Sequence, residues 1–228
     1  MNLRKAALIA GCGLLATLIA APFAHMYAIP RLIVLTDMGA TIQNIEAQGP
    51  LFLAAIFALL ITFVADLFIA WGLWLLLEPA DRALSAFVAL LRVVYTVIAV
   101  VGLLKLFTVY RLLNTPDYET IVGAQQVPGQ IYLLVRSFRY EWYAGFAFFS
   151  LHLVMLGWLA WRSGYIPRLL AVLLVLNGIG YLLDWLRPYL LPDTNLNWIM
   201  VFFFGEVLFM IWLLVRGGRV HVPAVASA

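Results

Sequence analysis

The chain has 228 residues, of which 65% are hydrophobic and only 11% are charged, and its mean hydropathy is +1.02. Soluble domains carry about 25% charged residues, so this composition excludes a solvated globular protein. It predicts an all-α integral membrane protein in which residues 1–228 form a single polytopic domain. The net charge of +3 favours membrane lipids as partners and disfavours nucleic acid.

Cysteine and histidine are rare in this chain. Cys12 is the one cysteine, so neither an internal disulfide nor a cysteine metal cluster is expected. Three histidines argue against a multi-histidine metal or haem centre, and we therefore expect no metal and no cofactor. The sequence also contains no phosphate-binding loop, zinc-protease motif or nucleophile elbow, which favours a protein that is not an enzyme.

Six apolar runs predict a six-transmembrane-helix bundle. The predicted helices cover residues 6–29, 51–77, 83–110, 140–161, 167–189 and 198–215, and a mobile tail follows over 217–228. We expect the first helix to be retained, loosened near Pro22 and closed by Pro30. Short turns at 78–82 and 162–168 join consecutive helices. Longer segments at 31–50 and 111–139 are predicted to carry an interfacial helix around 41–48 and, over 130–139, a helix that is either interfacial or leads into the fourth span.

Basic residues predict the orientation of this bundle. Six spans place both termini on the side that holds the short turns, which is the side of Arg4, Lys5, Arg82, Arg162, Arg168, Arg216 and Arg219. The other side holds Arg31, Arg111, Arg136, Arg139 and Arg187. The positive-inside rule therefore predicts a multi-pass protein of the inner cell membrane with both termini in the cytoplasm.

Several short motifs resemble a known family over nearly the whole chain. They are Arg4–Gly11, His152–Leu153, Leu156–Leu159, Arg162–Arg168, Gly180–Asp184, Gly205–Glu206 and Trp212–Gly217. The most specific of them is the Ser-Gly-Tyr-Ile-Pro-Arg turn over 163–168. The chain resembles domain-of-unknown-function family 4386, a bacterial group of small polytopic membrane proteins. The resemblance implies an architecture but no mechanism, because the family carries no established activity.

Five of the predicted helices each carry one polar residue at a similar depth. These residues are Asp66, Arg92, His152, Asn177 and Glu206. Counted from the short turns at about 1.5 Å per residue, they lie about 14–18 Å from the membrane boundary, close to the middle of a hydrocarbon core ~30 Å thick. Side chains at one depth on neighbouring helices can meet, so the sequence predicts an intramembrane polar cluster.

The cost of burying charge predicts how these residues pair. A charged side chain at a helix centre costs roughly 2.5–3.5 kcal/mol, so Asp66 and Arg92 are expected to form an ion pair across their hairpin. Glu206 is then expected to share Arg92, to be protonated, or to bond His152. Tyr95 lies one turn beyond Arg92 and joins the candidate pocket residues. The alternative is that these residues only fix helix packing.

A second set of polar residues lies nearer the predicted outer surface. Glu141 shares a helix face with His152, while Tyr181 and Asp184 continue the stripe that begins at Asn177. Together with Lys105, these residues predict an outer pocket that opens away from the cytoplasm. The alternative is that the charged ones reach the headgroup region by snorkelling.

Three functions are compatible with this pattern. The first is the binding or transport-like handling of a small or amphiphilic molecule in the polar pocket. The second is an intramembrane enzyme that acts on a lipid or isoprenoid and uses His152 with Glu206 or Asp184 as acid and base. The third is a structural or accessory membrane subunit. The first is favoured, with a small amphiphilic ligand and membrane lipids as partners, and the sequence specifies no oligomeric state.

Overall fold

Every regular element in the described part of the chain is helical. The computed structural model describes residues 2–115, 121, 123, 125–191, 194–195, 201 and 203–217, and no strand occurs in these ranges. The elements are α1 (Leu3–Pro22), a π-helical segment (Phe23–Ala28), α2 (Ile29–Leu32), α3 (Met38–Ala47), α4 (Gly49–Leu77), α5 (Arg82–Asn114), α6 (Val127–Ser163), α7 (Arg168–Leu190) and α8 (Phe204–Val215).

Five helical stretches within the described ranges are long and apolar enough to cross a membrane. They are Leu3–Leu32, α4, α5, α6 and α7. The described part of the sixth predicted span is the 12-residue helix α8. Residues 198–200 and 202, with which that span was predicted to begin, lie outside the described residues, as does the predicted tail from residue 218 onwards.

The helix of the first span changes its geometry after Pro22 but continues through Pro30. The helix widens into the π-helical segment directly after Pro22, which confirms the loosening predicted there. The prediction that Pro30 closes the span is wrong, because Pro30 lies in the first turn of α2 and the helix ends at Leu32. A π-helical segment shifts the hydrogen-bond ladder by one residue, so a proline without an N–H fits at its end.

Two predicted short helices have different outcomes. The helix predicted around 41–48 is α3, which begins three residues earlier because the Asp37 carboxylate caps it and accepts a hydrogen bond from the Ala40 N–H (2.9 Å). The helix predicted at 130–139 is the leading part of the fourth span and not a separate interfacial helix, since these residues continue into that span as α6. Neither proline nor glycine interrupts residues 130–144, and Pro128 lies in the first turn, where a missing N–H costs little.

The side chains of α4 separate into a buried and an exposed apolar face. Phe52, Ile56, Leu59, Phe63 and Ile69 are buried. Large apolar side chains on the opposite face are exposed, namely Phe57, Ile61, Val64, Leu67, Phe68 and Trp71. Soluble proteins rarely expose so many large apolar side chains on one helix face, whereas such a face suits contact with lipid tails. This exposed face therefore supports a membrane protein.

The chain divides into two compact units. The first consists of the described residues of 1–15, 65–96 and 145–228. Its helices approach one another closely where a glycine of one helix faces the backbone of the next. A Cβ added to Gly72 of α4 would lie 2.8 Å from the Ala6 oxygen of α1, and one added to Gly178 of α7 would lie 2.7 Å from the Ser150 oxygen of α6. Such small-residue contacts drive helix association in lipid.

The two short turns of the first unit are held by side chains that bond helix-end carbonyls. The Ser85 hydroxyl donates to the Trp74 oxygen (2.7 Å), and the Tyr165 hydroxyl donates to the Leu76 oxygen (2.6 Å). Burial raises the pKa of Tyr165 to about 12, so its hydroxyl keeps the donated proton at physiological pH. Gly164 follows the last residue of α6 with a φ of 73°, the left-handed conformation in which glycine commonly ends a helix.

The second unit consists of residues 16–64 and 97–144. Its α5 and α6 segments approach at Gly102, where an added Cβ would lie 3.2 Å from the Phe138 oxygen. The His25 ring of the π-helical segment stacks on Trp142 of α6, with ring centroids 3.9 Å apart. Lys105 and Glu141 form an ion pair across α5 and α6 at 3.5 Å.

Candidate functional site

Arg92 is the centre of a polar cluster in the first unit. Its side chain is only 2% exposed, and its Nε and Nη2 atoms both contact Oδ1 of Asp66, at 2.8 and 2.6 Å. The Asp66 side chain is 3% exposed. The predicted ion pair between α4 and α5 is therefore confirmed. Each of the two buried charges has an opposite charge in close contact, without which its burial would be strongly destabilising.

His152 of α6 is held by both of its ring nitrogens. Nδ1 lies 2.8 Å from the Val88 carbonyl oxygen, and Nε2 lies 3.3 Å from Nη1 of Arg92. A carbonyl oxygen only accepts and a guanidinium only donates, so Nδ1 carries the proton and Nε2 accepts from Arg92. His152 is fully buried and enters the cluster as a neutral ring that orients the guanidinium.

Glu206 of α8 reaches the same guanidinium. Its Oε1 atom accepts from Nη1 of Arg92 at 3.4 Å, and its side chain is 18% exposed, in contrast to the sealed Asp66–Arg92 pair. Of the three alternatives predicted for Glu206, the sharing of Arg92 is the one that the contacts show. His152 is engaged by Val88 and Arg92. Glu206 is therefore the edge of the cluster that a molecule can approach.

Asn177 of α7 contributes an amide with unused bonding capacity. Its side chain is 0% exposed, and neither its oxygen nor its nitrogen has a hydrogen-bond partner among the described residues. The amide lies beside the Glu206 carboxylate and interacts with it, but the two groups do not meet the full geometry of a hydrogen bond. A buried amide without partners is costly, so its position next to Glu206 marks a place where a polar ligand atom would be stabilised.

An aromatic cluster adjoins these polar groups. Tyr181 packs on Phe149, Phe146 and Phe203 with centroid distances of 5.0, 5.1 and 4.5 Å. Tyr95 packs on Phe149 at 4.7 Å. These rings come from α5, α6 and α7 and from the residue that precedes α8. The aromatic cluster gives the polar site an apolar wall, which is the usual composition of a small-molecule site.

The wall also contacts the cation of the cluster. The Arg92 guanidinium carbon lies 5.3 Å from the centroid of the Phe149 ring, within the range of a cation–π interaction. Phe149 in turn lies 5.9 Å from the His152 ring. One aromatic ring therefore packs beside both Arg92 and His152, the neutral partner of Arg92.

The predicted outer residues fall into two groups. Lys105 and Glu141 belong to the second unit, where they pair with each other and where Glu141 Oε2 is buried without a hydrogen-bond partner among the described residues. Tyr181 and Asp184 belong to the first unit, and Asp184 lies 3.7 Å from Arg187 one turn along α7. Tyr181 joins the aromatic cluster. The outer pocket that would combine all four stays a prediction.

Sequence reasoning missed two parts of the site. The Val88 carbonyl, which fixes the ring of His152, carries no signal in a side-chain pattern. Phe146, Phe149 and Phe203 are not among the predicted site residues, although Phe146 and Phe149 are spaced three apart and Phe149 precedes His152 by three. This spacing places Phe146, Phe149 and His152 on one face of α6, so it indicates from the sequence that the two phenylalanines lie near the site.

Comparison with known proteins gives a family match and a distant relative. The family described as "Domain of unknown function (DUF4386)" matches residues 9–217. An uncharacterised protein of the archaeon Archaeoglobus fulgidus is 27% identical over 165 residues, which cover 72% of this chain and 85% of that protein. No solved structure matches the chain, and the bacterial source predicted above stays a prediction. Because the family match covers most of the sequence, the chain belongs to the DUF4386 family of unknown function.

Proposed function

We propose that this protein binds a small or amphiphilic molecule at the intramembrane site formed by Arg92, Glu206 and Asn177, and that it handles this molecule in a transport-like manner. The observation that carries the proposal is the fully buried Asn177 amide, which has no hydrogen-bond partner among the described residues and lies beside the partly exposed Glu206 carboxylate. A ligand with a polar end would satisfy the amide and reach the carboxylate from the exposed side.

A purely structural cluster is the less favoured alternative. Such a cluster gains from having every polar atom paired, because each unpaired buried group costs about 1–3 kcal/mol. The Asp66–Arg92 pair and His152 meet this requirement. Asn177 does not meet it, and Glu206 contacts Arg92 only at the long distance of 3.4 Å. The part of the cluster around Asn177 and Glu206 is therefore better suited to a ligand than to packing.

The enzyme alternative is disfavoured by the contacts of its proposed acid and base. A general base needs a free lone pair within reach of the substrate proton. His152 donates from Nδ1 to Val88 and accepts at Nε2 from Arg92, so both nitrogens are engaged. Asp184 lies next to Arg187. Binding without chemistry is the function that the geometry favours.

The finer architecture belongs to the same proposal. We place α8 in a sixth span that begins at about residue 198, which gives both termini the same side and, from the distribution of Lys and Arg, the cytoplasmic side of the inner membrane. The 12 residues of α8 cover about 18 Å, whereas residues 198–215 in one helix would cover about 27 Å, close to the hydrocarbon thickness.

Native mass spectrometry of the Asn177→Leu variant tests the binding function. The wild-type protein is expected to retain a small molecule after purification in mild detergent, and Asn177→Leu is expected to lose it while staying folded. Removal of an unpaired buried amide leaves stability unchanged or raised, so a loss of the molecule would report on the site and not on unfolding. Thermal unfolding of both proteins in the same detergent checks the fold.

The matched control is Asn114→Leu. Asn114 is exposed at the end of α5, where its amide donates to the Tyr110 oxygen. This variant is expected to retain the molecule. The proposal is wrong if the wild type carries no bound molecule and no member of a panel of small amphiphiles raises its melting temperature, or if Asn177→Leu retains the wild-type molecule in full.

A further inference from the structure

We infer that Glu206 is an exchange position at which a proton and a small organic ammonium ion compete for the same carboxylate. This inference rests on the proposed function and names the class of its ligand. It follows from the number of charges in the cluster, from the partners that the structure already assigns to each group, and from the aromatic rings around them.

The charges of the cluster do not balance when its carboxylates are ionised. Asp66 and Glu206 supply two negative charges, whereas Arg92 supplies one positive charge. His152 adds none, because its contacts fix the neutral ring with the proton on Nδ1. A net negative charge inside a hydrocarbon region is expensive, so one further positive charge is required.

Only Glu206 is placed to receive that charge. Asp66 is 3% exposed and takes two short contacts from Arg92, so its charge is already compensated. Glu206 has a single contact of 3.4 Å to the same guanidinium and is 18% exposed. Without a bound cation Glu206 carries a proton, and with one it is ionised. Binding therefore inserts one cation and releases one proton, which leaves the charge of the site unchanged.

The surroundings favour an organic cation over a metal ion. The described residues contain no group of three His, Cys, Asp or Glu side chains that could hold a metal. The site instead has one carboxylate edge, the Asn177 amide and the aromatic cluster, in which Tyr181 lies close enough to Glu206 for the two to interact. Aromatic rings beside a carboxylate recognise ammonium groups through cation–π attraction.

The sign of the pH dependence follows from the groups around Glu206. These groups are Asp66 of α4, Arg92 and Tyr95 of α5, His152 of α6, and Tyr181 of α7. Asp66 and Arg92 hold each other in a sealed ion pair and the contacts of His152 fix its neutral ring, so Glu206 is the group that exchanges. Since only its ionised form binds the cation, affinity rises with pH.

The test uses choline, whose charge does not change with pH, and its neutral isostere 3,3-dimethyl-1-butanol. Both are titrated by calorimetry into the full-length protein in detergent, in buffers with different ionisation enthalpies. Choline is expected to bind with release of close to one proton, and its affinity is expected to rise by about tenfold per pH unit over the range of proton release. The neutral isostere is expected to bind at least tenfold more weakly.

Glu206→Gln supplies the decisive variant, because the amide mimics the protonated acid in shape. It is expected to fold as the wild type does and to lose both choline binding and proton release. The matched control is Glu78→Gln, the same change at an exposed residue that also lies 3.4 Å from an arginine, Arg82. This control is expected to bind choline with wild-type affinity. Thermal unfolding of both variants separates a lost site from a lost fold.

The remaining outcomes distinguish this inference from the function on which it rests. Choline binding without proton release, equal binding of choline and the neutral isostere, or choline binding retained in Glu206→Gln each overturns the exchange at Glu206. If choline fails to bind but a co-purified molecule still depends on Asn177, the inference is wrong and the binding function stands. If no molecule depends on Asn177 either, both are wrong.

Discussion

Arg92 joins four helices through one planar group. Its three nitrogens contact Asp66 on α4, His152 on α6 and Glu206 on α8, while the residue itself lies on α5. Lysine could not replace it, since a single ammonium lacks the fixed fork of donors that reaches two acidic groups and a ring in different directions. The cluster therefore depends on the geometry of this guanidinium as well as on its charge.

The coupling between Arg92 and Asp66 is measurable by a double-mutant cycle. Arg92→Met is expected to destabilise the protein by about 3–5 kcal/mol, because it leaves the Asp66 carboxylate without its buried cation. In the double variant Asp66→Asn/Arg92→Met, part of this loss is expected to return. The measurement is unfolding in detergent for the wild type, both single variants and the double variant.

The exposed pair of Arg82 and Glu78 is the control for that cycle. Its Nε–Oε1 distance is 3.4 Å, and the Arg82 side chain is 83% exposed. Solvent screens such a pair, so the coupling energy of Arg82→Met with Glu78→Gln is expected to be only about 0–1 kcal/mol. A coupling between Arg92 and Asp66 no larger than this control would contradict the role of the buried pair.

Helices α6, α7 and α8 are brought to the site by glycines that lie next to its residues. Gly178 follows Asn177 and faces the Ser150 oxygen of α6, and Gly205 precedes Glu206 and faces the Leu173 oxygen of α7, with an added Cβ at 2.7 and 2.8 Å. Each glycine thus fixes the distance between two helices at the level of a polar residue. The position of the Asn177 amide beside Glu206 is a consequence of these contacts.

Gly178→Ala tests whether this close approach is required. The new methyl group would lie 2.7 Å from the Ser150 oxygen and 2.8 Å from the Val154 nitrogen, so α6 and α7 must separate, at a cost of about 1–3 kcal/mol. We expect a lower melting temperature and loss of the bound molecule. Thermal unfolding and native mass spectrometry measure the two effects in one preparation.

Gly129→Ala is the matched substitution in a helix. Gly129 lies near the start of α6, and an added Cβ there meets nothing within 4 Å. Alanine favours a helix over glycine by about 0.5–1 kcal/mol, so this variant is expected to be as stable as the wild type or more stable. Equal effects of the two substitutions would rule out the proposed packing role of Gly178.

The described part of this membrane protein is all-helical, and the number of spans decides where the ends of the chain lie. Five described helical stretches are long enough to cross the membrane. Helix α8 is too short to cross by itself, so a sixth span requires that the residues before Phe204 belong to it. Five spans would separate the termini, whereas six would put them on one side. The position of Glu206 in the hydrocarbon region depends on the same sixth span.

Reporter fusions at the two ends test this topology. Green fluorescent protein fused to either terminus is expected to fluoresce, and alkaline phosphatase fused to either terminus is expected to be inactive, because both ends are proposed to be cytoplasmic. Fusions after Asn114 and after Leu190, at the ends of α5 and α7, are expected to give the opposite pattern and serve as controls. Active phosphatase at the C-terminus alone would contradict the sixth span.

The sequence by itself determined the membrane class and the main helices, and it predicted a common depth for the polar residues. Long apolar runs specify helices in lipid, and counting along a helix gives depth because its rise per residue is constant. It also determined the Asp66–Arg92 pair. The short turn at 78–82 fixes the register of two antiparallel helices, and two opposite charges at one depth cannot both face lipid at low cost.

Only the tertiary structure decided how the other polar residues are arranged. Whether Glu206 meets Arg92 or His152 depends on the rotation of each helix about its axis and on the distance between helices, and both are set by contacts between distant residues such as Gly205 and Leu173. The Val88 carbonyl that holds His152 and the missing partner of Asn177 follow from the same packing. Helical periodicity fixes which residues share a face, but it does not fix what that face contacts.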